Sequence, residues 1–301
     1  MVLIIAAGWL LMRIGLLSTS AVGEMNRLTY WIGLPALLID RIGNAAPAIT
    51  SVAGILTVLL LATALSLGVA LAVGAIWRMP LRSLVTFAHG AYRGNLTFIG
   101  LPVVIYAFAG SPQAAAYKSA ALVAFVPMVI IHNVIAVTLM QLPDRARPMA
   151  ALRRVFTGMA TNPILIATSV GLFIAISGIS LPVAVGRTLA ALGQMVLPLA
   201  LIGIGAGLYA TRIRGRRHWA FAAALLKTSV GPAAGLLLGL HFGLSNEALR
   251  LALIFLACPT AAASYVLVQQ MDGDSQLIAS TIVISHLLAL PAMLLVLLLT
   301  A

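Results

Sequence analysis

Long apolar runs separated by short polar joints dominate the chain. Eight stretches carry no charged residue: Ile42–Trp77, Gly94–Tyr117, Ser119–Pro143, Val155–Gly186, Thr188–Thr211, Thr228–Asn246, Leu251–Met271 and Ser275–Ala301. A helix needs about 20 apolar residues to cross the hydrocarbon core of a bilayer, and most of these stretches reach that length. The first forty residues differ. Met1–Met12 and Leu28–Ile39 are short apolar runs flanked by arginine. Long arginine side chains reach back to the interface, so a short run can still cross. The pattern predicts ten spans, at 1–17, 24–43, 49–77, 83–108, 112–141, 160–179, 185–211, 217–242, 246–271 and 275–300. Span 1 lacks a basic n-region and a clear small-residue cleavage site, so it reads as a span and not as a signal peptide. It is short, as a start upstream of Met1 would make it.

Composition sharpens this reading. Of 301 residues, 62% are hydrophobic and 8% charged, and the mean hydropathy is +1.12. A soluble domain carries about a quarter charged residues, and a disordered chain combines low hydrophobicity with high charge. Both classes are excluded. The one cysteine, Cys258, excludes a disulfide scaffold. An all-α polytopic membrane protein remains, with no room for a sizeable soluble domain.

The net charge of +12 would suggest nucleic acid in a soluble protein. Here it reflects sidedness, and no nucleic-acid partner is expected. With the joint between spans 1 and 2 in the cytoplasm, twelve arginines fall on that side: Arg13, Arg27, Arg78, Arg82, Arg145, Arg147, Arg153, Arg154, Arg212, Arg214, Arg216 and Arg217. Only Arg41, Lys118, Arg187 and Arg250 fall on the other, while Arg93 and Lys227 lie within spans. This bias follows the positive-inside rule and predicts both termini outside.

The two halves of the chain resemble each other. Leu34-Pro35-Ala36-Leu37-Leu38-Ile39 in span 2 is matched by Leu197-Pro198-Leu199-Ala200-Leu201-Ile202 in span 7, its proline 163 residues on. Two spans later come Gly100-Leu101-Pro102 in span 4 and Ala257-Cys258-Pro259-Thr260 in span 9, their prolines 157 residues apart. Five spans per half is an odd number, so the second half enters the membrane from the opposite side and the repeat is inverted. Paired proline-interrupted helices in inverted repeats point to the site of a secondary transporter. Proline removes an N–H and frees a carbonyl. Freed backbone groups are tolerated in a bilayer only where protein or a wet cavity covers them.

Six groups of residues resemble the auxin efflux carrier family. Asn26-Arg27-Leu28 with Leu34-Pro35-Ala36-Leu37-Leu38 is similar to its second helix, and Arg93-Gly94-Asn95 with Phe98-Ile99-Gly100-Leu101-Pro102 to its fourth. Asn162-Pro163-Ile164 resembles the start of its sixth, and Gly193 through Leu197-Pro198-Leu199-Ala200-Leu201, with Gly203 and Gly205, its seventh. Lys227 with Pro232, and Pro259-Thr260-Ala261-Ala262, resemble helices 8 and 9. The resemblance implies ten transmembrane helices as two inverted five-helix repeats, residues 1–141 and 160–301, joined by a short basic cytoplasmic linker at 142–159. It implies a fold shared with bile-acid sodium symporters. Helices 4 and 9 would be broken and would cross near their prolines. Helices 1, 2, 6 and 7 would form a panel, through which a homodimer could assemble, and helices 3–5 and 8–10 a core. The family moves small organic anions, and bacterial members, placed in the cytoplasmic (inner) membrane, are often labelled malate or malonate permeases. This chain lacks the long hydrophilic central loop of plant members, so loop regulation is not expected.

Candidate chemistry concentrates in spans 4, 5, 8, 9 and 10. An arginine inside a span costs about 2.5–3.5 kcal/mol on insertion scales. Arg93 therefore either attracts or gates an anion, or snorkels to the cytoplasmic interface. His89 lies one turn away on the same face. Asn95 and Thr97, just before Pro102, offer amide and hydroxyl groups to a carboxylate, or hydrogen bonds to a neighbouring helix. Thr260, Ser264 and Tyr265 follow Pro259 and are candidates for the other half of the site; Gln269 reads as interfacial. Lys227 either snorkels, supports span 4 or 9, or takes part in proton or ion coupling. His89, His132 and His286 could relay protons or be merely hydrogen-bonded, and Asn133 is a further polar group in mid-span. No carboxylate sits centrally in a span. Coupling would therefore use histidine, the substrate's own protonation, or Na⁺ held by carbonyls and hydroxyls. No cofactor or metal site is expected.

The function expected is a secondary transporter of small organic anions, with the lipid bilayer as its other partner. No Walker A pattern is present, so ATP is not the driver. A channel or membrane sensor is the alternative. An intramembrane hydrolase is disfavoured: HExxH and GxSxG are absent, and Gly273-Asp274 lies in a joint without a second membrane aspartate.

Overall fold

The computed structural model describes residues 2–43, 52–109, 114–142, 161, 163–210 and 216–300. Nearly all of the basic linker lies outside these, as do Arg145, Arg147, Arg153, Arg154, Arg212, Arg214, Asn162, the side chains of Arg41 and Lys118, and the ends of several predicted spans.

In chain order the helices are α1 (Val2–Arg13), α2 (Thr19–Leu28), α3 (Leu34–Gly43), α4 (Val52–Ile76), α5 (Leu81–Tyr92), α6 (Leu101–Ala107) and α7 (Ala114–Gln141). They continue as α8 (Pro163–Ser177), α9 (Val183–Gln194), α10 (Val196–Ala210), α11 (Arg217–His241), α12 (Asn246–Ala257), α13 (Ala263–Gln270) and α14 (Ser275–Leu299). The described chain is all-helical. Five helical stretches are long and apolar enough to cross a membrane: Val52–Ile76, Ala120–Gln141, Val183–Gly207, Arg217–His241 and Ser275–Leu299. They correspond to predicted spans 3, 5, 7, 8 and 10. Spans 1, 2, 4, 6 and 9 are shorter or interrupted helices.

The interruptions follow proline. Pro35 and Pro102 are each the second residue of a helix, and each helix is led in by a wider π-helical turn, Thr29–Gly33 before α3 and Leu96–Gly100 before α6. A proline ring clashes with the carbonyl four residues back and leaves it without a donor; a wider turn relieves both. Pro198 is the third residue of α10, just after the chain is interrupted at Met195.

Two compact units divide the chain, one of Met1–Val52, Leu101–Val126 and Phe156–Ala210, the other of Ala53–Gly100, Pro127–Val155 and Thr211–Ala301. In the first unit α1 packs on α10 and α3 on α8, through glycines that let backbones approach. A Cβ placed on Gly8 would lie 2.8 Å from Ile202 Cα, and one on Gly171 would lie 3.4 Å from Ile39 Cα. A Cβ on Gly33 would meet Val196 Cγ2 at 2.9 Å.

In the second unit α5 packs against α11 and α14 around Phe87, Ala88, Ala91, Trp219, Ala223 and Leu277. Asp274 fastens the start of α14 to α5. Its Oδ1 accepts from Leu277 N–H at 3.0 Å and its Oδ2 from the Ser83 hydroxyl at 3.0 Å. Both carboxylate oxygens are occupied in capping.

Candidate functional site

The site grows out of two helix breaks in the second unit. The chain is extended at Arg93–Asn95, between α5 and the π-helical turn, and again at Cys258–Ala261, between α12 and α13. The two extended pieces pair antiparallel, with Gly94 opposite Thr260. Asn95 N–H donates to Pro259 O at 2.7 Å, and Ala261 N–H donates to Arg93 O at 3.0 Å. Thus backbone groups released by one break are satisfied by the other. The expected break beside Pro259 is found there. In span 4 the break lies at Gly94, eight residues before Pro102. Pro102 itself is a buried residue of α6 and belongs to the first unit. The wider turn before it accommodates the ring and the carbonyl it leaves without a donor, so the proline does not have to mark the break.

Local sequence explains the span 4 break. Asn95 is 4% exposed and caps the helix that follows, its Oδ1 accepting from Phe98 N–H at 3.2 Å. This is ordinary N-cap chemistry. Gly94 before it leaves room for α11 and α12 to pack close. A Cβ there would meet Lys227 Cε and Phe255 O, both at 3.4 Å.

The freed helix-end carbonyls find side-chain donors. The buried Thr260 hydroxyl donates to Gly90 O at 2.8 Å, and its N–H donates to Ser285 Oγ at 3.0 Å. Lys227, 3% exposed, donates from Nζ to Leu256 O at 2.7 Å. It is turned inward and makes no reach for the interface. A cation at the C-terminus of α12 also offsets the partial negative charge there. We expect Thr260→Val to leave the Gly90 carbonyl buried without a donor, lowering stability by about 1–3 kcal/mol. Thr260→Ser should be close to neutral. Thermal unfolding in detergent separates the two, and equal melting temperatures for Thr260→Val and the unsubstituted protein would contradict this role.

Beside the crossing lies a polar cluster with open valences. Arg93 Nη2 donates to Asn133 Oδ1 at 2.6 Å. The Tyr92 hydroxyl donates to His132 O at 3.2 Å. The Tyr92 ring stands edge-on to His89 at 5.8 Å and to His132 at 5.6 Å between centroids. Five buried side-chain atoms here have no partner among the described residues: both ring nitrogens of His89, Nη1 of Arg93, Nε2 of His132 and Oγ of Ser264. An unsatisfied buried polar group costs about 1–3 kcal/mol, more when charged. Such a concentration of donors marks a place for a polar ligand or water.

The remaining candidates divide. Thr97 is half-buried in the π-helical turn. Tyr265 is 38% exposed. His286 is buried and spends Nδ1 on Ile282 O of its own helix at 2.7 Å. Ser285, which receives Thr260 N–H, is not singled out in the sequence, and Asn133, named there as a polar group, is given no link to Arg93, which it holds. Each neighbours a histidine already singled out, but no spacing rule links them to the breaks.

A family model described as membrane transport protein matches residues 1–297. No curated protein matches the sequence.

Proposed function

Because the chain belongs to the membrane transport protein family, that of the auxin efflux carriers, whose members are multi-pass membrane transporters, we propose that it is a secondary active transporter. It moves a small organic anion, a mono- or dicarboxylate, across the bacterial cytoplasmic membrane by alternating access. It has no enzymatic activity. The observation that carries this reading is Arg93: a guanidinium with one nitrogen held by Asn133 and the other buried without a partner, beside two crossed helix breaks. Neither Arg93 nor Lys227 pairs with a carboxylate among the described residues. An unpaired buried cation is stabilised by an anion. In this reading Arg93, Asn95, Thr97 and Ser264 face the carboxylate, and Thr260, Pro259 and Lys227 hold the crossing. The coupling ion is H⁺ or Na⁺.

The same reading includes ten spans arranged as two inverted repeats, with both termini outside, a panel of spans 1, 2, 6 and 7 and a homodimer built through it. Spacing within each unit supports the repeat. Gly8 and Gly171 are 163 residues apart, as are the Ile39 and Ile202 positions they pack on, in exchanged order. Gly33 and its neighbour Val196 are also 163 apart. In the second unit Gly94 and Thr260 are 166 apart, and so are the carbonyls capped there, Gly90 and Leu256. The value of 166 replaces the 157 taken from Pro102 and lies closer to 163. Contacts between equivalent positions are what a two-fold relation produces.

Counterflow in proteoliposomes tests the function. Radiolabelled acetate, lactate, malonate, malate and succinate are offered with and without imposed pH and Na⁺ gradients. Saturable exchange of at least one anion is expected. Single-channel current steps would favour the pore alternative, and a correctly inserted protein that exchanges none of the five would remove the anion assignment.

A further inference from the structure

We infer that His89 and His132 form a proton-binding site that fills together with the anion, so that the carrier is a proton–anion symporter. This rests on the anion-carrier reading and adds to it the coupling ion and its place. Two residue pairs, one from α5 and one from α7, bracket the Tyr92 ring. His89 lies in the last turn of α5 and Arg93 caps its end; on α7, His132 and Asn133 are adjacent. Asn133 accepts from Arg93 Nη2, while Tyr92 stands edge-on to both imidazoles and donates to the His132 carbonyl. His89 is fully buried and both of its ring nitrogens are unpartnered, as is Nε2 of His132. A neutral imidazole needs a donor for one nitrogen and an acceptor for the other. None of the described residues supplies them for His89 or for Nε2 of His132, so these valences are open to a polar species that enters the site.

The charges facing the pair decide what enters. From α5 come Arg93 and Tyr92, and from α7 only His132. Lys227 on α11 is committed to Leu256 O. His286 on α14 is committed to Ile282 O. From α13 comes the Ser264 hydroxyl, which is unpartnered. Asp274, where α14 begins, is spent on Ser83 and Leu277. Among the described residues the pair thus faces a cation and no free carboxylate. A proton placed on either ring adds a second positive charge beside Arg93, which is unfavourable in a buried site. A carboxylate bound at Arg93 Nη1 supplies the missing negative charge, and the proton in turn strengthens the hold on the carboxylate. Binding of the two is therefore reciprocal. The empty site returns without a proton, and the loaded site carries both. A buried histidine already satisfied by its own backbone, as His286 is, has no such vacancy.

The test uses the full-length protein in proteoliposomes, with whichever of the five carboxylates exchanges best, and reads three signals. These are counterflow at equal pH, accumulation driven by an inside-alkaline gradient, and lumenal pH followed by a trapped dye. Anion uptake by the unsubstituted protein is expected to acidify the lumen, and its apparent affinity should tighten about tenfold per unit of pH lowered, as linkage to one proton requires. His89→Gln and His132→Gln should lose gradient-driven accumulation at least about tenfold, yet lose counterflow by less than about threefold. His241→Gln, on the exposed end of α11, should keep all three signals. Anion flux without lumenal acidification in the unsubstituted protein would overturn the proposal while leaving the carrier reading intact, and so would variants that keep the gradient response. An absence of all anion flux would overturn both. Should either variant fail to fold, the pH dependence of affinity in the unsubstituted protein decides: a flat profile refutes the coupling.

Discussion

Replacing Arg93 by alanine is expected to cut carboxylate counterflow by about 100-fold or more while leaving an inserted, folded protein. Truncating one partner of a buried charged hydrogen-bonded pair costs about 2–5 kcal/mol, and about 1.4 kcal/mol is a factor of ten. The fold should survive because Arg93 supports the crossing with its backbone carbonyl, which accepts from Ala261 N–H, and not with its side chain. Removing a buried cation also removes its desolvation cost. Arg93→Lys should recover only part of the activity. The guanidinium fork gives one nitrogen to Asn133 and keeps another for a ligand, whereas an ammonium is a point charge on a flexible stem. Asn133→Leu should act through Arg93, raising KM more than it lowers the maximal rate, because it frees the guanidinium to wander. Counterflow per inserted molecule, read beside the melting temperature in detergent, checks all three. An Arg93→Ala protein that keeps counterflow within about threefold would remove the guanidinium from the binding site and, with it, the central support for an organic anion.

Arg93 also shows how far the sequence carries. A lone arginine in an apolar run announces itself, and so do the histidine one turn before it and the lysine in span 8. What the sequence does not display is which of these cations is already satisfied. Lys227 and Arg93 look alike along the chain, yet Lys227 is bonded to a helix-end carbonyl and Arg93 keeps an open nitrogen. That difference depends on where two distant segments meet. The break in span 4 is a case where local chemistry was readable but proline drew the eye. Gly94-Asn95 is a stop followed by an N-cap, and its asparagine side chain caps the next helix. Pro102 and Pro35 mark something subtler, the end of a wide π-helical turn. Ten spans could be counted from apolar runs, but only four appear as single long helices among the described residues, the stretch Val183–Gly207 being interrupted at Met195. Interrupted helices have the same composition as continuous ones, because the bilayer demands apolar side chains from both.

Gly8→Leu is the substitution with the largest expected effect on stability, a fall in melting temperature of about 6–12 °C or a failure to accumulate folded protein. A Cβ at Gly8 would come within contact of the Ile202 carbonyl oxygen and lie 2.8 Å from Ile202 Cα and 2.9 Å from its carbonyl carbon. These are backbone atoms of α10, so no rotamer change can make room; α1 must move away. In a bilayer that separation is not offset by any hydrophobic gain, since lipid tails are as apolar as the helices they meet. Gly171→Leu tests the equivalence of the two halves. Its Cβ would meet Ile42 Cβ at 3.0 Å, Leu38 O at 3.2 Å and Ile39 Cα at 3.4 Å. The approach is of the same kind but looser, so the melting temperature should fall in the same direction by a smaller amount. Gly23→Ala, where nothing lies within 4 Å of the new Cβ, should be neutral or stabilising by up to about 1 kcal/mol through helix propensity. Differential scanning fluorimetry on the purified proteins orders the three. Were Gly171→Leu neutral, α3–α8 would not be a counterpart of α1–α10, and the two-fold reading of the first unit would fail. Were Gly8→Leu neutral, the close approach of α1 to α10 would itself be wrong. The glycine spacing of 163 then acquires a physical meaning: each half contributes one glycine at which its first helix meets the backbone of the other half's proline helix, and the pair can be lost one at a time.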